Sequence, residues 1–245
     1  MKVYQLKDGF GINALKVAEI AEPVINDYQV LIRVRAVSLN YRDLLIVKGL
    51  YPGKSLPLIP MSDGAGEVVA VGERVTRFKT GDRVAGIFMQ SWIIGAMTAA
   101  DKGTALGGEI DGMFAEFVAL DESGAVKIPD NLSFEEASTL PCAAVTAWNA
   151  LFETGNLKPG DKVLTLGTGG VSVFAAQFAH AAGAEVIITS SSDEKLQRAQ
   201  KELGAKHIIN YRATPDWGNG RAKSRMDAAL TTLSKRAARG RLTSR

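Results

Sequence analysis

The feature that most limits the fold of this chain is the run VLTLGTGGVSVFAAQFAHAAGAEVIITSSS, residues 163–192. A short apolar segment runs straight into a glycine cluster. An Ala-rich segment of helical length follows, then a second apolar segment rich in Ile. The spacing predicts a strand over 162–167, a helix over 170–182, a strand over 185–190, a helix over 193–203 and a strand over 207–209. Strands that alternate with helices in this way imply a parallel sheet, because a parallel neighbour is reached only through a crossover. The turn has the form G-x-G-x-x-Ser, with Gly167, Gly169 and then Ser172 where a third glycine is usual. Gly167 permits a tight turn, and Gly169 lets the backbone approach a pyrophosphate. The amides that open the helix, at Gly170 and Val171, supply donors at the positive end of its dipole. An ordinary strand-to-helix turn is the competing reading of the same residues.

At the end of the second strand a site for NAD needs a carboxylate to bind the ribose hydroxyls. Ser190, Ser191 and Ser192 stand there instead, with Lys195 close by. No acid repels a 2′-phosphate at this point, and hydroxyls with a lysine can bind one. The expected cofactor is therefore NADP(H) in preference to NAD(H). SSSDEK also reads as a helix N-cap with a solvated first turn; both hold if Ser192 caps while Ser190 and Ser191 meet the ligand.

The first 125 residues carry a different pattern. LKVAEIA, YQVLIRVRAVSLN, GEVVAVG, DRVAGIF and FAEFVAL are short, rich in Val and Ile, and divided by Gly, Pro and Asp. Many short strands with turn punctuation predict a barrel or sandwich. Gly64, Gly66 and Gly72 are expected to flank one strand, with a turn at Gly81-Asp82 before the next. Beyond about 130, SFEEASTLPCAAVTAWNALFET has helical periodicity, with Ser133 and Glu136 spaced as a capping box. A composition of 46% hydrophobic and 22% charged residues supports a packed core, and no apolar run is long enough to span a bilayer. The N-terminus lacks a signal-peptide pattern, so a cytoplasmic location is expected. The lone cysteine, Cys142, excludes an internal disulfide framework.

Taken together these stretches resemble the medium-chain dehydrogenase/reductase family. The resemblance rests on GEVVAVGERVTRFKTGDRV, DGMFAEFVAL, TLPCAAVTAWNAL, VLTLGTGGVSVFAAQFAHAAGAEVI and ELGAKHIINYR, in the family's order, and runs to about Trp217. It implies an α/β plus β fold: a GroES-like β-barrel domain over 1–125, then an incomplete Rossmann doubly wound parallel sheet over 126–218. It also implies that Thr146 lies near the nicotinamide and Tyr211 near the adenosine phosphate. Zinc-dependent members hold their metal with a Cys, a His and often a second Cys. Asn40 stands at the first position here, and Met61-Ser62-Asp63 replaces Gly-His-Glu before GAGEV. Cys142 matches the third position alone, and one thiolate cannot hold zinc. The four-cysteine structural lobe is replaced by a cysteine-free loop at about 89–112. No metal is therefore expected, as in relatives resembling quinone oxidoreductases. Without a Lewis acid the chemistry falls to substrates that are already electron-poor, such as a quinone or enone. Asn40 and Tyr41 occupy the old metal position and could donate hydrogen bonds to the substrate oxygen; the alternative is that Asn40 caps a turn and Tyr41 packs. Asp43 reads as structural, and His180 and His207 as parts of the scaffold.

The net charge of +3 hides an asymmetry. Residues 219–245 hold eight Lys or Arg against one Asp, or +7, which leaves 21 basic and 25 acidic residues, or −4, in the rest. This segment has no β-rich run and departs from the family pattern; it is expected to be a disordered basic tail. A synonymous coding of Arg225–Arg245, read from the last base of each codon, gives HGRGADHVVEAGGPGTLDES. That string looks like the family's next strand and helix start, so a frameshift is the expected origin of the tail. Two function classes follow. One is a zinc-independent NADP(H)-dependent oxidoreductase acting on a small molecule, a quinone, enone or carbonyl/alcohol, whose activity truncation puts in doubt. The other is a non-enzymatic binding protein whose tail contacts nucleic acid or an acidic partner. The tail lacks interleaved aromatics, so nucleic acid is not the expected partner, and no membrane is expected. The resemblance implies a homodimer built on late strands of the sheet that this chain does not show.

Overall fold

The computed structural model describes residues 1–51 and 55–218. The chain divides into two compact units, Met1–Cys142 and Ala143–Arg245. The basic tail and its proposed frameshift lie outside the described residues.

In the first unit, β1 (Lys2–Leu6) pairs antiparallel with β2 (Leu15–Glu19). There follow β3 (Gln29–Ser38), α1 (Tyr41–Val47), β4 (Asp63–Val71), β5 (Arg83–Gly86), α2 (Ala99–Lys102), β6 (Phe117–Asp121), β7 (Ala125–Lys127) and α3 (Phe134–Ser138). Five of these strands form one antiparallel sheet in the order β6-β3-β4-β5-β7. β3 is an interior strand and long, and QVLIRVRAVS alternates along it: Val30 and Ile32 are fully buried while Arg33 and Arg35 face outward. With Val68, Val84, Leu106, Met113 and Leu120 they make the core of the unit.

Gly64 and Gly66 lie inside β4 and do not flank it. A Cβ on Gly66 would fall 2.2 Å from the Arg33 carbonyl oxygen, so the close pairing of β3 and β4 at this irregular register admits only glycine. The change from strand-like to helix-like pattern near residue 126 is also not where the packing divides. β7 pairs with β5, Arg83 donates to the Leu132 carbonyl, and Ala137 with Phe134 packs on Ala65 and Ala85. Residues 126–142 therefore belong to the first compact unit.

The second unit contains α4 (Val145–Trp148), β8 (Lys162–Leu166), α5 (Gly170–Ala181), β9 (Glu185–Ser190), α6 (Asp193–Leu203) and β10 (His207–Asn210). Its sheet is wholly parallel, in the order β10-β9-β8. Val163, Val186 and Ile188 of the sheet pack against Ala176 and Ala179 of α5 and Leu196 and Ala199 of α6. The small alanines let α5 lie close to the strands. α6 ends on Gly204 in a left-handed conformation, the usual glycine stop. No helix among the described residues is long and apolar enough to cross a membrane.

The helical stretch 133–154 is not one regular helix. The capping box at Ser133 and Glu136 forms as its spacing predicts, but α3 gives way to a π-helical turn, Leu140–Ala144, and α4 to another, Asn149–Thr154. Pro141 lies in the first of these; it has no N–H to give and its ring crowds the carbonyl one turn back, so the regular ladder widens there.

Candidate active site

The polar centre of the first unit is built on the start of α1 and the start of β4. Asn40 is the N-cap of α1, and its backbone N–H donates to Asp43 Oδ2 at 2.7 Å. Asp43 is buried, and its Oδ1 accepts from the Ser62 backbone N–H at 3.3 Å. The Ser62 hydroxyl donates to Asp63 Oδ1 at 2.7 Å and receives Asn40 Nδ2 at 3.4 Å. Asp63 Oδ2 accepts from the Cys142 backbone N–H at 3.0 Å. Met61, just before, adopts a left-handed φ of 72°, which turns the chain so that Ser62 and Asp63 both point inward. Two carboxylates thus clasp one serine, and the serine holds the side chain of half-buried Asn40.

Burial raises the Asp43 and Asp63 carboxyls above the ordinary aspartate value, against hydrogen bonds from Asn40, Ser62 and Cys142 and the charge of Arg42. Burial beside these two acids pushes the Cys142 thiol up to about 11. Arg42 is itself occupied: it stacks on Phe88, donates to the Leu106 carbonyl and pairs with Glu109 at 3.0 Å. Tyr41, at the first turn of α1, is 75% exposed. Among the described residues, no three His, Cys, Asp or Glu side chains gather as a metal-binding group.

The second unit collects its polar groups at the carboxyl ends of its parallel strands, where open α/β sheets bind ligands. Gly167 takes a φ of 83° directly after β8, and its N–H donates to Thr189 Oγ1 at 3.1 Å. Gly169 caps α5 with no side-chain hydrogen bond, which leaves the first amides of the helix, Gly170 and Val171, uncapped by any side chain. Nothing lies within 4 Å of a Cβ built on Gly169, and its φ of −80° suits any residue. The fold does not need glycine there, so the space in front of this turn fits a ligand that comes close to the backbone. Ser172 fixes the turn by donating to the Leu166 carbonyl at 3.1 Å.

Ser190 ends β9 and is buried; its hydroxyl accepts from the Ser192 N–H at 3.2 Å. Ser191 is half-buried, and Ser192 caps α6 by accepting from the Lys195 N–H at 3.4 Å. The Lys195 side chain is exposed. Tyr211 follows β10, and its N–H donates to the Ser190 carbonyl at 3.1 Å, so it stands beside the serines. Thr146 is exposed on α4, which packs against α5, the helix that follows the glycine turn. His207 pairs with Glu185 at 3.0 Å and His180 packs against Gly204, both within the scaffold.

The clasp of Asp43 and Asp63 around Ser62 was not expected from the sequence. Two signals were present: Asn40 and Asp43 stand at N-cap and N3 spacing, and Ser62-Asp63 is a polar pair after the apolar run LPLIPM.

An antiparallel β unit with a polar centre, followed by a parallel βαβαβ unit opening on a glycine turn, defines the architecture of nucleotide-dependent dehydrogenases. Residues 26–130 match the alcohol dehydrogenase GroES-like domain and residues 170–235 match the zinc-binding dehydrogenase domain. The second match continues past Trp217, where the motif resemblance stops, into residues outside the described part. A zinc-type alcohol dehydrogenase-like protein of Schizosaccharomyces pombe is 53% identical over 213 residues, covering 85% of this chain and 61% of that protein. An alcohol dehydrogenase candidate from Sinorhizobium meliloti 1021 is 41% identical with a TM-score of 0.82, covering 94% of this chain and 67% of that one. The Escherichia coli quinone oxidoreductase solved with NADPH is 26% identical with a TM-score of 0.73, covering 95% and 63%. The chain belongs to the medium-chain dehydrogenase/reductase family. It spans about 60% of the length of curated relatives that it matches.

Proposed function

We propose that this chain is a zinc-independent, NADP(H)-dependent oxidoreductase that transfers hydride to a quinone, an enone or another activated carbonyl substrate. The observation that carries the proposal is the assembly Asn40–Ser62–Asp63. At the positions where zinc-dependent relatives place ligands, this chain places side chains bonded to one another. The donor set does not fit zinc: the acceptor oxygens of Asp43 and Asp63 are already met by N–H and O–H groups, and Cys142 stands as a single thiol with no second Cys or His beside it among the described residues.

The glycine turn, Ser191, Lys195 and Tyr211 support binding of a dinucleotide at the strand ends of the second unit. NADPH, when bound, supplies the hydride. The uncapped amides of α5 hold its pyrophosphate. Lys195 and Ser191 favour the 2′-phosphate, with no acid at the end of β9 to oppose it. In the first unit Asn40 is held by Ser62 and by its own capping bond with Asp43. Its amide is thereby fixed to donate to a substrate oxygen as negative charge develops there. Tyr41, exposed beside it, offers its hydroxyl as a second donor.

The test is NADPH consumption with a soluble quinone, in parallel with elemental analysis. Quinone reduction that survives chelator, with less than one zinc per chain, is the expected result. Asn40→Ala should lower turnover by about 10²-fold, the usual loss of one oxyanion donor. One tightly held zinc per chain, with activity abolished by chelator, would refute the proposal.

A further inference from the structure

The exposed face of α6 next to the glycine turn holds a cavity of about 210 Å³. Val173 and Leu203 are among its apolar lining, and Thr168, Lys195, Arg198 and Glu202 are its polar lining. Thr168 is the middle residue of the Gly167-Thr168-Gly169 turn, so the cavity opens beside the place where a dinucleotide phosphate would pass. Lys195 and Arg198 are three residues apart on one helix face and present two cations to the same space. Arg198 is at present engaged: Nε and Nη2 meet the two oxygens of Glu202 at 3.1 Å each. Both side chains are at least half exposed, at 69% and 50%, so the pair is weak and easily exchanged. A phosphate dianion is the better partner for the guanidinium fork, having more charge and more acceptor oxygens than one carboxylate.

Ser190 strengthens the case. Its hydroxyl is buried and turned to the Ser192 N–H, so less of the 2′-phosphate contact falls to the serines than their sequence position implies. The outer oxygens of a phosphate held by Lys195 need a further donor, and the other cation that lines the same cavity is Arg198.

We propose that Arg198 is a specificity-determining residue for the cofactor's 2′-phosphate, and that Glu202 holds it in reserve until the phosphate arrives. The inference rests on the NADP(H) reading given above. On binding, Arg198 leaves Glu202 for the phosphate, and the glutamate carboxylate turns to solvent. Glu202 therefore acts against binding, both as a competitor for the fork and as a like charge in the polar lining.

The experiment uses the 245-residue chain and calorimetric titration at low salt with two probes, adenosine 2′,5′-bisphosphate and adenosine 5′-monophosphate. The unmodified chain should bind the bisphosphate more tightly. Arg198→Ala should weaken bisphosphate binding by about tenfold, the scale of one charge-assisted contact, and leave the monophosphate unchanged. Glu202→Gln should have the opposite sign and strengthen the bisphosphate about threefold, a modest gain typical of an exposed pair. If Arg198→Ala changes neither probe, or weakens both alike, the role of Arg198 is overturned while the preference of the unmodified chain for the bisphosphate still stands. If the unmodified chain binds both probes equally or neither, the NADP(H) reading fails and the inference fails with it.

Discussion

Ser62 is the residue on which the first unit's polar centre turns, because it is bonded from both sides by buried acids. Ser62→Ala removes the only hydroxyl between Asn40 and Asp63 and leaves a buried carboxylate oxygen short of a donor. A loss of about 1–3 kcal/mol is expected, measured by urea denaturation. Asp63→Asn tests the charge itself. Burial raises the carboxyl of Asp63 in the folded state, so the folded chain holds that proton more tightly than the unfolded chain. Such a group favours folding below its unfolded value of 3.8 and opposes it as the pH rises through the folded value. The unmodified protein should therefore lose stability relative to Asp63→Asn as the pH climbs above about 4, and a difference that is flat with pH would contradict the burial argument. The sequence made part of this centre legible. Motif position alone raised the expectation that Asn40 and Ser62 stand where zinc-dependent relatives hold their metal. The linkage of Asp43 and Asp63 through one serine was not, because it joins a helix cap to a strand start across 19 residues and depends on the φ of Met61.

Elements of the second unit were legible almost to the residue, since β8, α5, β9, α6 and β10 each begin where the sequence pattern begins them. Alternation of apolar strands with Ala-rich or amphipathic helices is a strong local signal, and Gly167, Ser192 and Gly204 punctuate it. In the first unit β1, α1, α2 and β7 went unread, α2 falling inside the stretch 89–112 expected to be a loop. β7 has only three residues, and the LLIV of α1 is too brief for periodicity to separate helix from strand. Pro141 broke an otherwise helical stretch in a way that periodicity does not register. The glycine turn gives the sharpest prediction at this scale. Gly169→Ala meets no protein atom and no forbidden dihedral, so thermal stability should stay within about 0.5 kcal/mol of the parent. Binding of NADPH, followed by quenching of tryptophan fluorescence, should weaken by at least tenfold because the methyl occupies the space a pyrophosphate needs. Equal binding by the variant would show that no ligand approaches this backbone. Gly167→Ala is the contrasting control, with a φ of 83° that costs an L-residue about 1–2 kcal/mol before any ligand is added.

At the scale of the whole molecule, β8 is paired on one side only among the described residues, and Leu166 at its end is 67% exposed. A bare apolar edge of a parallel sheet is a template for unwanted pairing. Leu166→Lys should leave the unfolding midpoint close to that of the parent while reducing concentration-dependent light scattering; equal scattering would move the liability elsewhere. The two units also differ in how far apart in the chain their partners lie. The Gly167 N–H finds Thr189 only 22 residues on, whereas the Lys2 N–H is met by Glu116, 114 residues away. Ribosomes add about 5–20 residues each second, so the start of the first unit waits on the order of ten seconds for that partner to be made. The parallel layer closes within a few seconds of its own emergence. The unit that leaves the ribosome first is thus the slower to complete, with Val30 and Ile32 open to chaperones in the interval. Protease digestion of arrested nascent chains should show protection of the first unit appearing only once residues beyond β7 have cleared the exit tunnel.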